Sequence, residues 1–130
     1  MMSSALMYLG WTALITVLMW VPAALQMIQG QGLMSAFGNR DNLAPLAPWA
    51  ERSNRAHRNA VENLVVFTAL VLTAHAAGAV NEAVSTAAMV YFWARVLHYL
   101  SYTAGIKYLR TGVWTVGWAC LLVIAWQILA

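Results

Sequence analysis

The chain has 130 residues, of which 62% are apolar and only 8% charged, whereas an ordinary soluble domain carries about a quarter charged residues. Seven cations against four anions give a formal charge of +3, too sparse for a nucleic-acid surface, so no nucleic-acid partner is expected. One cysteine, Cys120, leaves no internal disulfide and no second soft ligand for a metal.

The apolar residues gather in runs of roughly 20, the length that crosses a bilayer core of about 30 Å at helical rise. No segment alternates with the period of a barrel strand, so helices are the spanning structure. The reading is an all-α integral membrane domain of four transmembrane helices. The first span covers about residues 4–27, "SALMYLGWTALITVLMWVPAALQM". It has no basic leader and no small-residue cleavage site closing it, so it is expected to be retained rather than removed as a signal. Pro22 deletes an intrahelical hydrogen bond and predicts a kink. A polar loop rich in glycine and proline follows, in which Arg40 and Asp41 are neighbours and a weak local ion pair is expected. The second span covers about residues 55–77 and opens in the stretch "ERSNRAHRNAVENLVVF", the most polar part of the chain. The turn "AVNEAV" leads to a third span at about residues 85–106, and "KYLRTG" separates it from a fourth at about 112–129.

The cations set an orientation. Arg40, Arg52, Arg55 and Arg58 belong to the first connection, and Lys107 and Arg110 to the third, while the second connection has no Lys or Arg. The positive-inside rule places the first and third connections in the cytoplasm and both termini outside.

On the second span Arg55, Arg58, Asn59 and Glu62 fall at i, i+3, i+4 and i+7, which puts them on one helix face. On the third, Arg95, His98 and Tyr102 share a face in the same way. Counting at helical rise places Glu62 and Arg95 at similar depth, about 15 and 18 Å from the cytoplasmic end. An isolated charge near mid-bilayer costs about 2.5–3.5 kcal/mol on the lenient insertion scale. The two opposite charges therefore predict a Glu62–Arg95 ion pair, either as register-fixing glue or as the anchor of a site. Arg58, Asn59, His98, Tyr102 and Arg110 lie on its cytoplasmic side, where they would form a pocket suited to an anionic ligand bearing carboxylate and amide groups. Arg52 and Arg55 read as lipid-headgroup contacts, His57 as a contact with the loop or a neighbouring subunit, and His75 as an interfacial histidine without chemistry. Cys120 reads as an inert buried thiol.

"ERSNRAHRNAVEN" followed by "ARVLHYLSYTAGIKYLR" resembles the MAPEG family, membrane-associated proteins in eicosanoid and glutathione metabolism, and the chain looks like a small bacterial member. The resemblance covers the whole chain. It implies a homotrimer in a bacterial inner membrane that binds glutathione as co-substrate in a cytoplasm-facing pocket between subunits. By position it implies glutathione contacts from Arg58, Asn59, Glu62, His98 and Tyr102, support from Arg55, and thiolate stabilisation by Arg110. Thr111 stands where some relatives carry serine, and Trp114 where they carry tyrosine. No cation precedes Arg40 at the end of the first span, where family enzymes tend to have one. The implied function is a glutathione-dependent transferase or peroxidase acting on an apolar electrophile that enters from the bilayer. The alternatives are a non-catalytic relative whose pocket binds a lipid headgroup or another anion, and a small four-span transporter. The transporter fits less well, because its carboxylate would line a midplane cavity rather than a cluster open to one side.

Overall fold

The computed structural model describes residues 2–41 and 43–130, and its regular structure is entirely helical. In chain order the elements are α1 (Ser4–Leu18), α2 (Val21–Gln31), α3 (Leu33–Phe37), α4 (Pro48–Ala76), α5 (Glu82–Ala104) and α6 (Lys107–Leu129). Segments Ser4–Gln31, Pro48–Ala76 and Lys107–Leu129 are long and apolar enough to cross a membrane. The chain is an integral membrane protein. α5 equals α6 in length, 23 residues, and carries Arg95, His98 and Glu82 along its path.

The kink expected from Pro22 is a break two residues upstream. α1 ends at Leu18, and α2 restarts at Val21 with proline in its first turn. The missing N–H of Pro22 would have bonded the Leu18 carbonyl, and the ring crowds that same carbonyl, so the helix stops there. Breaking a helix strands backbone groups inside the bilayer. Here the Tyr99 hydroxyl donates to the Met19 carbonyl at 3.1 Å and pairs with Ser53 Oγ at 2.5 Å. Because Tyr99 spends its proton on Met19, Ser53 donates to Tyr99, and one node joins the broken helix to α4 and α5.

α4 begins earlier than the apolar pattern suggested, at Pro48 in place of residue 55. Proline fits a first helical turn, where its N–H would have been unpaired, and Glu51 in that turn complements the helix dipole. Its 29 residues make about 44 Å of helix, against a bilayer core of about 30 Å. The opening turns, with Arg52 and Arg55, thus extend beyond the apolar layer. The connection "KYLRTG" is also helical. α5 closes at Gly105, whose φ of 83° is the left-handed cap. Gly105 N–H reaches Tyr102 O at 3.1 Å and Ile106 N–H reaches Ser101 O at 2.9 Å, the paired bonds of a Schellman motif. α6 starts immediately, so Arg110 stands one turn inside a helix and not in a loop.

The apolar core sits at the opposite end of the bundle from the arginines. Phe67 of α4 stacks on Tyr91 of α5 with centroids 4.0 Å apart, among Ala5, Val71, Val84, Cys120 and Ile124. Small residues such as Ala74, Ala87 and Ala88 let the backbones approach. Cys120 is a free, buried thiol.

Candidate functional site

At the arginine-rich end the α5–α6 hairpin brings polar side chains together. Tyr102 lies in the last turn of α5 and Arg110 in the first turn of α6. The guanidinium carbon of Arg110 sits 4.5 Å from the Tyr102 ring centroid, within cation–π range. His98, one turn before Tyr102, meets that ring edge-on at 5.7 Å. Arg110 is half-buried and borders two adjoining cavities. One, of about 270 Å³, is lined by Asn59, His98, Tyr102, Arg110, Thr111 and Trp114. The other, of about 230 Å³, is lined by Arg52, Tyr102, Gly105, Ile106, Lys107 and Arg110.

The supporting bonds fix this geometry from α4. Arg52 Nε donates to the Thr103 carbonyl at 3.1 Å, satisfying an end-of-helix acceptor of α5. Arg52 is thus tied to the hairpin and is not only a headgroup contact. A Cβ on Gly105 would stand 3.4 Å from its guanidinium. Asn59 Oδ1 accepts from Arg95 Nη2 at 2.7 Å and from Asn63 Nδ2 at 3.3 Å. His98 is buried, 2% exposed, and its Nδ1 has no partner among the described residues. The Thr111 hydroxyl donates back to the Lys107 carbonyl at 3.1 Å.

The expected Glu62–Arg95 pair is not formed within the subunit. Arg95 is buried, 3% exposed, and takes Asn59 as its partner, leaving Nε unpaired. Glu62 is exposed. Helix geometry gives the reason. The face of α4 turned into the bundle runs through Ser53, Ala56, Ala60, Phe67 and Val71. At 100° per residue Asn59 lies at the flank of that face, while Glu62 lies nearly opposite it. The two residues are similar in depth along the axis, and direction around the axis decides the partner. Arg55 and Arg58 are exposed on the same outer face as Glu62.

The structure thus gathers Asn59, His98, Tyr102, Arg110 and Thr111 in one cavity and leaves Arg55, Arg58 and Glu62 outside it. It adds Trp114 to the wall and Asn63 behind Asn59. Asn63 was findable, being i+4 from Asn59, the spacing at which helical side chains meet. Arg40, with φ of 64°, donates Nε to the Ala36 carbonyl at 3.0 Å and stays exposed. It closes α3, and no ion pair with Asp41 forms. His75 is exposed near the end of α4, and no group of three or more metal-ligating side chains occurs among the described residues.

These features define an all-helical membrane protein with a guanidinium-centred polar pocket at one end of its bundle. The family model for the MAPEG family matches residues 5–130, and the chain belongs to that family, which includes glutathione-dependent transferases and peroxidases. No curated protein matches the chain.

Proposed function

We propose that this protein is a glutathione-dependent membrane transferase or peroxidase working as a homotrimer, with its arginine-rich end in the cytoplasm. The observation that carries the reading is the Arg110 guanidinium, braced on Tyr102 and open to a cavity whose other walls are Asn59, His98 and Thr111. A free thiol has a pKa of about 8.5 and is mostly protonated at neutral pH. A guanidinium against the sulfur favours the thiolate. In a transferase reaction the thiolate lone pair forms a C–S bond to an apolar electrophile, and the departing pair is protonated. In a peroxidase reaction two thiols give two electrons and two protons to an O–O bond, yielding a disulfide, an alcohol and water.

The trimer is supported by what one subunit leaves uncovered. Arg55, Arg58 and Glu62 face outward from α4, and on a membrane-spanning helix such groups are costly against lipid. A neighbouring copy would cover them and turn them toward the same ligand, Glu62 for its ammonium and the arginines for its carboxylates. The four rods, α1 with α2, α4, α5 and α6, are then four spans with both termini outside, in a bacterial inner membrane by the resemblance. Apolar substrate would arrive through the bilayer.

One observation favours the non-catalytic alternative, a pocket for a lipid headgroup or another anion. The first-span end supplies no cation, and Arg40 is held at α3. Calorimetric titration of detergent-purified protein with glutathione, beside Arg58→Ala and Arg110→Ala, tests the main reading. Saturable binding lost in both variants supports it. No heat and no thermal stabilisation at millimolar glutathione would leave the alternative.

A further inference from the structure

A further cavity, of about 800 Å³, lies toward the end of the bundle remote from the arginines and shares no lining residue with the polar cavities. It is an open groove between the first half of α5 and the second half of α6, and no residue of α1 or α4 lines it. Ala83, Ala87 and Val90 form one wall, and Val116, Ala119 and Val123 form the other. Each set follows helical spacing and makes a single stripe, and the small side chains leave the space between the helices open. Its volume is that of a small-molecule site, about 300–1,000 Å³.

The groove has a direction. Asn81 and Glu82 stand at its mouth, beside the α4–α5 turn. There Asn81 Nδ2 donates to Gln127 Oε1 at 2.7 Å, and Asn81 Oδ1 caps α5 by accepting from Val84 N–H at 3.0 Å. From Glu82 to Val90 the groove runs about 12 Å at helical rise, against about 15 Å for the hydrocarbon of one leaflet. Polar groups at the mouth and an apolar trough toward mid-membrane repeat the polarity of a lipid standing in that leaflet. An apolar trough does not hold water, so a lipid chain or another helix fills it. Charge decides between them. Glu82 is exposed and is the only Asp, Glu, Lys or Arg at residues 63–94, while residues 1–39 and 111–130 contain none. A second copy in a ring has the same orientation, so it brings no Lys or Arg to Glu82 at this depth. A lipid headgroup brings its cation as an ammonium.

We propose that the α5–α6 groove holds an acyl chain of a phospholipid whose headgroup carries a primary ammonium, and that Glu82 selects that headgroup. An ionised carboxylate only accepts and an ammonium only donates, so the two form a charge-assisted hydrogen bond. An anionic headgroup meets repulsion at Glu82, and a quaternary ammonium has no N–H to give. The groove is separate from the proposed glutathione pocket and takes its lipid whether or not that pocket binds glutathione.

Cys120, the single cysteine, lines the groove and is 8% exposed, so its alkylation reports occupancy. Delipidated protein in detergent is treated with N-ethylmaleimide in micelles containing phosphatidylethanolamine, phosphatidylcholine or phosphatidylglycerol, and the adduct is followed by intact mass. Phosphatidylethanolamine is expected to slow alkylation about two- to fivefold more than either other lipid, the upper part of the range for an exposed ion pair. Glu82→Gln should level the three lipids, and Glu82→Asp should keep their order. Ala119→Phe fills the groove from an exposed position and should alkylate slowly and equally in every lipid. Its melting temperature, and the smaller Ala119→Leu, separate that result from a folding defect. Equal slowing by all three lipids in wild type overturns the inference, as does a lipid order that survives in Glu82→Gln. Alkylation that ignores lipid but slows as protein concentration rises also overturns it and gives the groove to a second copy.

Discussion

Removing one oxygen atom, in Tyr99→Phe, probes how the chain tolerates its broken first helix. The Tyr99 hydroxyl donates to the Met19 carbonyl and accepts from Ser53, which is fully buried. Phenylalanine keeps the ring but strands the Met19 carbonyl and the Ser53 hydroxyl together. Interhelical hydrogen bonds in membranes average about 0.6 kcal/mol with a maximum near 1.7, so two lost bonds should cost about 1–3 kcal/mol. Ser53→Ala removes the same Ser53–Tyr99 bond without stranding a donor, since Tyr99 still has Met19, and should cost about 1 kcal/mol or less. In the double variant the Ser53 hydroxyl is already gone. The double variant should therefore be less damaged than the sum of the singles, by about 0.5–1 kcal/mol. Reversible unfolding in mixed detergent, followed by tryptophan fluorescence, measures all four proteins. Strict additivity, or Tyr99→Phe costing no more than Ser53→Ala, would refute the hydroxyl relay and return the break to Pro22 alone.

Gly105→Ala should lose about 1–2 kcal/mol of stability in the same assay, because a φ of 83° is left-handed and a Cβ is penalised there. Glu62→Gln should change unfolding of the isolated subunit by less than about 0.5 kcal/mol; a loss of about 3–5 kcal/mol would indicate a buried Glu62–Arg95 ion pair. Arg52→Ala frees the Thr103 carbonyl and removes a wall of the smaller cavity, and hydrogen exchange should show faster opening of the last turn of α5 than in wild type. Arg110→Ala should abolish glutathione binding in calorimetry while leaving the melting temperature within a few degrees, since its contact is with one exposed side of Tyr102.

Much of the architecture was readable because membrane helices announce themselves through length and apolar run. What escaped was local. Pro48 and Glu51 mark a helix start that the apolar pattern could not show, since α4's first turns extend beyond the bilayer core. "KYLRTG" read as a connection because it is polar, yet Gly105 alone closes α5 and lets α6 begin at Lys107. At the site, periodicity placed Arg55, Arg58, Asn59 and Glu62 within one sector of α4 but gave no direction for it, and only Asn59, at the sector's edge, reaches the cavity. The inward positions of α4 are small ones, Ser53, Ala56 and Ala60, and packing small residues against α5 turns the long charged side chains outward.

That rotation bears on the chemistry. With Glu62 outside, Arg95 meets an amide in place of a carboxylate, so the buried guanidinium retains its charge and the amide is polarised toward the cavity. A Glu62–Arg95 pair would have neutralised the floor of the pocket and left Asn59 free to turn either way. The arrangement found does the reverse. It keeps a positive charge beneath the cavity, commits Asn59 as a donor, and leaves Glu62 for whatever covers the outer face of α4. An anion is then favoured between α4 and α6 within one subunit, and a cationic group is favoured beyond it, toward a neighbouring copy. On the proposed trimeric reading, a zwitterionic ligand whose carboxylate and ammonium lie a few bonds apart would meet both demands only with a second subunit in place, which would tie ligand binding to assembly.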